Sequence, residues 1–229
     1  MNDLEQLVAS SAQAHGHLCP GQVVGVRMAL LGCRLIGLDD PQSRSQIKKL
    51  IVYVEMDRCT ADAVAHVTGV KLGRRSLKFM DYGIMAASFV NLETGKAFRV
   101  ISTEESRSLA PAYAPEIPEK YAQQLEAYKR MPKSVLFQVQ EVTIDVCDCD
   151  LPGPTRYKVA CVRCGQIVRD RREVVVDGRP YCAPCAGGAY FRNVNQVPCP
   201  EMKRPAATVI DEKREDWETH HRSVSGFYH

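Results

Sequence analysis

Two cysteine pairs with the same internal spacing, Cys161-Val162-Arg163-Cys164 and Cys182-Ala183-Pro184-Cys185, stand 17 residues apart in this chain of 229. Two residues between paired thiolates let a tight turn aim both sulfurs at one point, and two such pairs fill the tetrahedral shell that Zn²⁺ favours. Gly165 follows the first pair, where a zinc knuckle needs a positive φ that glycine adopts without steric cost. Between the pairs, Glu173-Val174-Val175-Val176 and then Asp177-Gly178 form a β-rich run closed by a hairpin turn, the usual filling of a zinc ribbon or treble clef. Two disulfides or two redox-active pairs are the alternatives. Neither pair has the βαβ surroundings of a thioredoxin-like site, so structural zinc is the expected chemistry.

A second set of donors lies near the N-terminus. His15-x-His17-x-Cys19 puts three potential ligands at alternate positions, which project to one side of an extended segment, and Pro20 pushes Cys19 toward that conformation. Cys19 precedes an apolar helix, and its free N–H groups and dipole are expected to lower the thiol pKa; Cys59 stands in the same relation to a helix beginning at Thr60. His17, Cys19 and Cys59 are therefore candidates for one metal or reactive-thiol site, against the alternative of buried packing. His15 is either a further ligand or a group that supports one. Cys33, among Leu31, Leu35 and Ile36, reads as a small buried hydrophobe, and His66 as a helix-face residue with no ligand role. Cys147, Cys149 and Cys199 have no evident partners, and free thiols or pairing with one another across a linker both stay open.

The elements that must position these groups are written as periodicity. Leu4, Leu7, Val8 and Ser11 mark one side of a helix that breaks at His15-Gly16-His17. Val23 to Ile36 is apolar on nearly all sides, as befits a central buried helix ending at Gly37. Leu50 to Val54 reads as a buried strand, Thr60 to Thr68 as a helix stopped by Gly69, and Ala86–Val90 with Ala97–Ile101 as a hairpin around Glu93-Thr94-Gly95. Pro118 and Pro132 bracket a helix over Glu119 to Met131, and Val135 to Ile144 alternates like a strand. Ala186 to Phe191 can open a short helix, weakened by its two glycines. Pro152-Gly153-Pro154 is the best linker, giving a core at 1–150, a finger at 151–205 and a polar tail at 206–229 that carries Trp217, Phe227 and Tyr228.

A hydrophobic fraction of 45% with 25% charged residues belongs to an ordinary globular protein. No apolar run approaches the roughly 18 residues of a membrane span, and the first residues lack a signal-peptide pattern, so a cytoplasmic protein with no membrane partner is expected. In that compartment ten cysteines read as metal ligands or reactive thiols rather than a disulfide framework. Arg156, Lys158, Arg163, Arg169, Arg171 and Arg172 make the finger basic, yet a net charge of +3 and the lack of a helix rich in base-reading side chains argue against nucleic acid.

His15-Gly16-His17-Leu18-Cys19-Pro20-Gly21, Gly25-Val26-Arg27-Met28, Val54-Glu55-Met56-Asp57-Arg58-Cys59-Thr60-Ala61-Asp62-Ala63 and Val67-Thr68-Gly69 together resemble the FmdE family, whose namesake is a component of formylmethanofuran dehydrogenase. Gly73 to Leu77, Asp81-Tyr82-Gly83 and Ala97 to Val100 extend the likeness over about residues 10 to 145, and the four-cysteine segment resembles a DksA/TraR-type zinc finger. The resemblance implies an α+β core of mixed helix and sheet followed by a small treble-clef or zinc-ribbon finger, in proteins that tend to dimerise. It implies a core metal site at His17, Cys19 and Cys59 with Asp62 as a neighbour, and it departs at Val70 and Ile84, where such proteins often carry a cysteine and a lysine. It supplies no reaction. The expected function is a cytoplasmic, homodimeric metal-binding accessory protein with structural Zn in the finger and a second transition metal, zinc among the candidates, in the core. Its expected partner is a molybdenum or tungsten enzyme or its cofactor. A metal- or thiol-dependent enzyme, with His15 or Asp62 as base, and a finger-based adaptor or regulator are the alternatives.

Overall fold

The structure, a computed structural model, describes residues 4–192, 194, 195 and 197. Helices α1 (Leu4–His15) and α2 (Pro20–Leu35) precede β1 (Leu50–Val54) and α3 (Cys59–Thr68). Strands β2 (Leu77–Phe79), β3 (Ala86–Asn91) and β4 (Ala97–Ser102) follow, then α4 (Glu105–Ser108), α5 (Ala110–Tyr113), α6 (Lys120–Arg130), α7 (Lys133–Leu136) and β5 (Phe137–Glu141). The sheet order is β2-β1-β3-β4-β5, with β1 and β2 parallel and the other neighbours antiparallel. This is the mixed helix-and-sheet core expected from the sequence.

The near-continuous apolar run of α2 makes it the hub: Val23, Val26, Met28 and Ala29 are fully buried. A Cβ at Gly32 would fall 2.2 Å from the Phe89 ring, so glycine is what lets α2 lie down on β3. Helix α2 ends where Gly37, at φ +76, turns left-handed and the Leu38 N–H reaches back to the Cys33 carbonyl. Helices α1 and α3 both pack on α2. Cys33 is buried among these helices, and that burial pushes its thiol up to about 12, in keeping with a packing role. Val70, at one of the family departures, is a core residue.

The opposite face of the sheet, Ile51, Val90 and Ala97, is covered by Val142, Ile144 and Val146 from the segment after β5. Here one expectation changes. Val135 and Leu136 close the turn of α7 behind Pro132 instead of starting a strand, and β5 stops at Glu141. The alternation of Val142, Ile144 and Val146 is real, but it serves to cover the sheet rather than to extend the ladder.

Lys158–Ala160 (β6) and Ile167–Arg169 (β7) pair as one hairpin, and Val174–Val176 (β8) and Arg179–Tyr181 (β9) as another around Asp177-Gly178. The helical turn after them spans Pro184–Gly188, earlier than Ala186–Phe191, because Gly187 at φ +100 ends it. Residues Met1–Gly188 form one compact unit, in which Arg75 binds Asp170 at 2.7 Å and Lys78 binds Asp150 at 3.1 Å, tying the finger and its lead-in to the core. In the second unit, which begins at Ala189, the rings of Tyr190 and Phe191 meet edge to face. Cys199 and the tail at 206–229, with Trp217, Phe227 and Tyr228, lie outside the described residues.

Candidate metal centres

In the finger, β6 delivers Cys161 and β9 delivers Cys182, while Cys164 and Cys185 sit in the turns that follow. The Gly165 N–H bonds the Cys161 carbonyl at 2.9 Å with φ +73, the knuckle geometry expected of that glycine. Val162 N–H donates to the Pro180 carbonyl at 3.0 Å and so registers the two halves. The four sulfurs lie within 4.8 Å of one another, and Cys164 Sγ stands 3.7 Å from Cys182 Sγ. A tetrahedron with metal–sulfur bonds of about 2.3 Å has edges of about 3.8 Å, so this spacing suits zinc.

Proton sharing among these thiols is unequal. The Cys182 backbone N–H, with those of Cys164 and Arg163, brings Cys161 down to about 6 despite burial. The Cys182 side chain, then burial and the other two thiols, push Cys185 up to about 12. Four crowded thiolates need a cation, and a divalent metal is the group that lets all of them ionise together.

The core cluster is built where α1, α2 and α3 meet. His15 ends α1, His17 lies in the turn after Gly16, Cys19 caps α2 in extended conformation, and Cys59 opens α3. One donor atom from each of the four lies within 4.8 Å of the others. Glycines make the approach possible: a Cβ at Gly21 would stand 3.0 Å from Cys59 Cβ, and one at Gly25 would stand 2.6 Å from Ala63 Cβ. Gln22, fully buried, donates to the Cys59 carbonyl at 2.7 Å and is itself held by Ser11, so one side chain links all three helices. Four residues before Cys59 in the chain, Glu55 at the end of β1 is gripped by Arg99 through two bonds of 2.7 and 2.6 Å.

Asp62, one turn along α3 from Cys59, bonds His15 Nδ1 at 2.8 Å. His15 Nε2 is buried and has no hydrogen-bond partner. A carboxylate that fixes the Nδ1–H tautomer leaves Nε2 with its lone pair free, which is how metal-binding histidines are oriented. His17 is exposed, with its ring 4.7 Å from that of His15. Cys19 is buried, and its thiol is raised rather than lowered: burial and the neighbouring Cys59 outweigh the N–H groups of Gln22 and Gly21. The helix-terminal donors are present as expected, but desolvation, which no local pattern records, reverses the sign of the shift.

The sequence missed Tyr121. This residue of α6 has its pKa raised by desolvation and by the Cys19 and Cys59 charges, and its hydroxyl donates to the Leu18 carbonyl at 3.3 Å, which sets the phenol beside the cluster. No local motif could have signalled it. His66 bonds Ser10 and belongs to neither donor group.

A family model described as FmdE, molybdenum formylmethanofuran dehydrogenase operon, matches residues 14–143, and one described as a prokaryotic DksA/TraR C4-type zinc finger matches residues 153–191. A probable S-adenosyl-L-methionine-binding protein of Archaeoglobus fulgidus is 26% identical over 202 residues, which are 82% of this chain and 54% of that protein. The chain thus spans about half the length of the curated relative it matches. The crystal structure of a tungsten formylmethanofuran dehydrogenase FmdE-like protein from Syntrophus aciditrophicus aligns with a TM-score of 0.53 at 18% identity, over 82% of this chain and 95% of that one, a likeness of fold. Matched from the His15 motif to just past the end of β5, over more than half its length, the chain belongs to the FmdE family and carries a DksA/TraR-type zinc finger after that domain.

Proposed function

We propose that this chain is a metal-binding accessory protein, in which His15, His17, Cys19 and Cys59 hold a transition metal and Cys161, Cys164, Cys182 and Cys185 hold a structural Zn²⁺. The observation that carries the core site is the buried, unpartnered Nε2 of His15 with Asp62 behind it. Two thiols and two imidazoles suit zinc best among common metals. A metal there would supply Lewis acidity or be passed on as cargo, and exposed His17 is the ligand most readily exchanged. Asp62 is already engaged with His15, which favours an accessory role over one in which Asp62 is a free general base.

A molybdenum enzyme, or its cofactor, as the partner served rests on the description of the family, and tungsten on that of the Syntrophus aciditrophicus neighbour. Work in the cytoplasm as a homodimer is part of the same reading; the aromatic tail and the linker motivate the dimer, which light scattering at micromolar concentration tests. Cobalt substitution tests the metals. The finger is expected to give an intense four-thiolate spectrum, and the core a spectrum that shifts when a small thiol is added. Asp62→Asn should weaken core binding about 10- to 100-fold and leave the finger unchanged. Equal core affinity in wild type and Asp62→Asn, or no core cobalt at all, would overturn the reading.

A second reading, a small-molecule binder, draws on a groove of about 1140 Å³ lined by Leu4, Leu7, Leu30 and Leu38, with Arg34 and Lys133 set against Asp39 and Asp40. Apolar walls with both charge signs suit a zwitterion such as the S-adenosylmethionine named for the archaeal relative. Calorimetric titration with that compound tests it.

A further inference from the structure

Cys147 and Cys149 lie outside both metal clusters, after the segment that covers the sheet and just before the Pro152-Gly153-Pro154 linker. Their sulfurs are bonded to each other across Asp148. A bridge between residues two apart closes so short a loop that it removes little entropy from the unfolded chain, so it is no staple. What it offers is chemistry. The two sulfurs differ in access: Cys149 is buried, whereas Cys147 is half-buried.

The turn that holds Cys149 also helps to fasten the finger, alongside the Arg75–Asp170 pair. Asp148 accepts from the Tyr157 hydroxyl and faces Arg171 at 3.7 Å, and Arg171 lies 4.1 Å over the Tyr157 ring. Asp150 binds Lys78 of β2 at 3.1 Å and Arg172 of the finger. One three-residue turn, Asp148–Asp150, therefore carries the contacts to both sides, and the sulfur bridge closes directly on it.

We propose that Cys147 and Cys149 form a redox-active site that exchanges with dithiol reductants, and that its oxidation state controls how firmly the finger is held on the core. A thiolate of the reductant attacks the accessible Cys147 Sγ. The Cys147–Cys149 bond breaks with its electron pair on Cys149 Sγ, which takes a proton. The second thiol of the reductant, deprotonated, then attacks its partner sulfur in the mixed disulfide and releases Cys147, which is protonated in turn. Two electrons and two protons have passed to the protein, and the dithiol has become a disulfide. Without the bridge the turn is free to leave the conformation that aims Asp148 and Asp150 at Tyr157, Arg171 and Arg172.

The test equilibrates the full-length, zinc-loaded protein in graded ratios of reduced to oxidised dithiothreitol, with zinc content monitored, followed by acid quench, alkylation and peptide mass spectrometry. Cys147 and Cys149 are expected to become alkylatable together along one two-electron curve, and hydrogen exchange of the β6 and β7 amides to rise on the same curve. Cys147→Ser should abolish the titration, leave Cys149 alkylatable throughout, and hold finger exchange at the reduced level. Alkylation of both cysteines at every ratio overturns the proposal, as does protection that a metal chelator removes, which would make Cys147, Asp148 and Cys149 metal ligands. Finger exchange that ignores the titration overturns the coupling. Should Cys147→Ser fail to fold, the wild-type curve decides.

Discussion

Adding a single methyl group at Gly25 is expected to disable the proposed core metal site without changing any of its four proposed ligands. The added Cβ would sit 2.6 Å from Ala63 Cβ, 2.7 Å from the Thr60 carbonyl oxygen and 3.0 Å from Thr60 Cα. Two of these atoms are backbone, so no side chain can swing away. Restoring a carbon–carbon contact of about 3.6 Å requires α2 and α3 to part by about 1 Å. Metal ligands tolerate shifts of about 0.2 Å, and Cys19 and Cys59 sit on opposite sides of this seam. Overpacking costs about 1–3 kcal/mol, and the better helix propensity of alanine returns about 1, leaving about 1 kcal/mol of destabilisation and a Tm drop of about 2–4 °C. Gly25→Ala should thus fold, keep its finger metal, and bind cobalt in the core about tenfold or more weakly. Gly73→Ala is the control, since a Cβ there meets nothing within 4 Å. If Gly25→Ala binds core cobalt like wild type, the close helix approach does not position the ligands.

Arg99→Ala leaves the buried Glu55 carboxylate without its bidentate partner and should cost about 3 kcal/mol, lowering Tm by about 6–12 °C, with Glu55→Gln in the same background recovering much of the loss. A Cys164→Ser/Cys185→Ser double variant should lose native dispersion in its finger resonances while the core stays folded, because zinc binding contributes on the order of 10 kcal/mol or more to such a module. Burial opposes ionisation of Asp150, but Arg172 and Lys78 outweigh it and hold the carboxyl below its ordinary range. The contribution of that pairing is therefore fully present above the ordinary carboxylate pKa of about 4 and lost as pH falls through the lower folded value. Arg172→Ala should raise finger hydrogen exchange by an amount worth about 0.5–1 kcal/mol that is constant above pH ~5 and vanishes in stronger acid.

What the sequence determined by itself is what short-range pattern encodes. Two CxxC pairs set the finger's donor geometry because each turn is local, and Gly165 and Asp177-Gly178 supply its bends. The helices around His15, Cys19 and Cys59 were legible from apolar periodicity and from Pro20, Gly37 and Gly69 at their ends. Tertiary structure decided what surrounds those residues. Whether His15 is a ligand or a support depends on Asp62, 47 residues away, and on the burial of Nε2, neither of which a local pattern contains. The pKa of Cys19 depends on how much water α2 and α3 exclude, an effect that opposes the helix terminus and wins. Tyr121 reaches the site from a helix far downstream in the chain, by packing alone. The segment from Val142 to Val146 alternates as a strand would, and only the sheet's uncovered face turned that alternation into a cover. Periodicity says which residues seek burial; the partner they find there is settled by the rest of the fold.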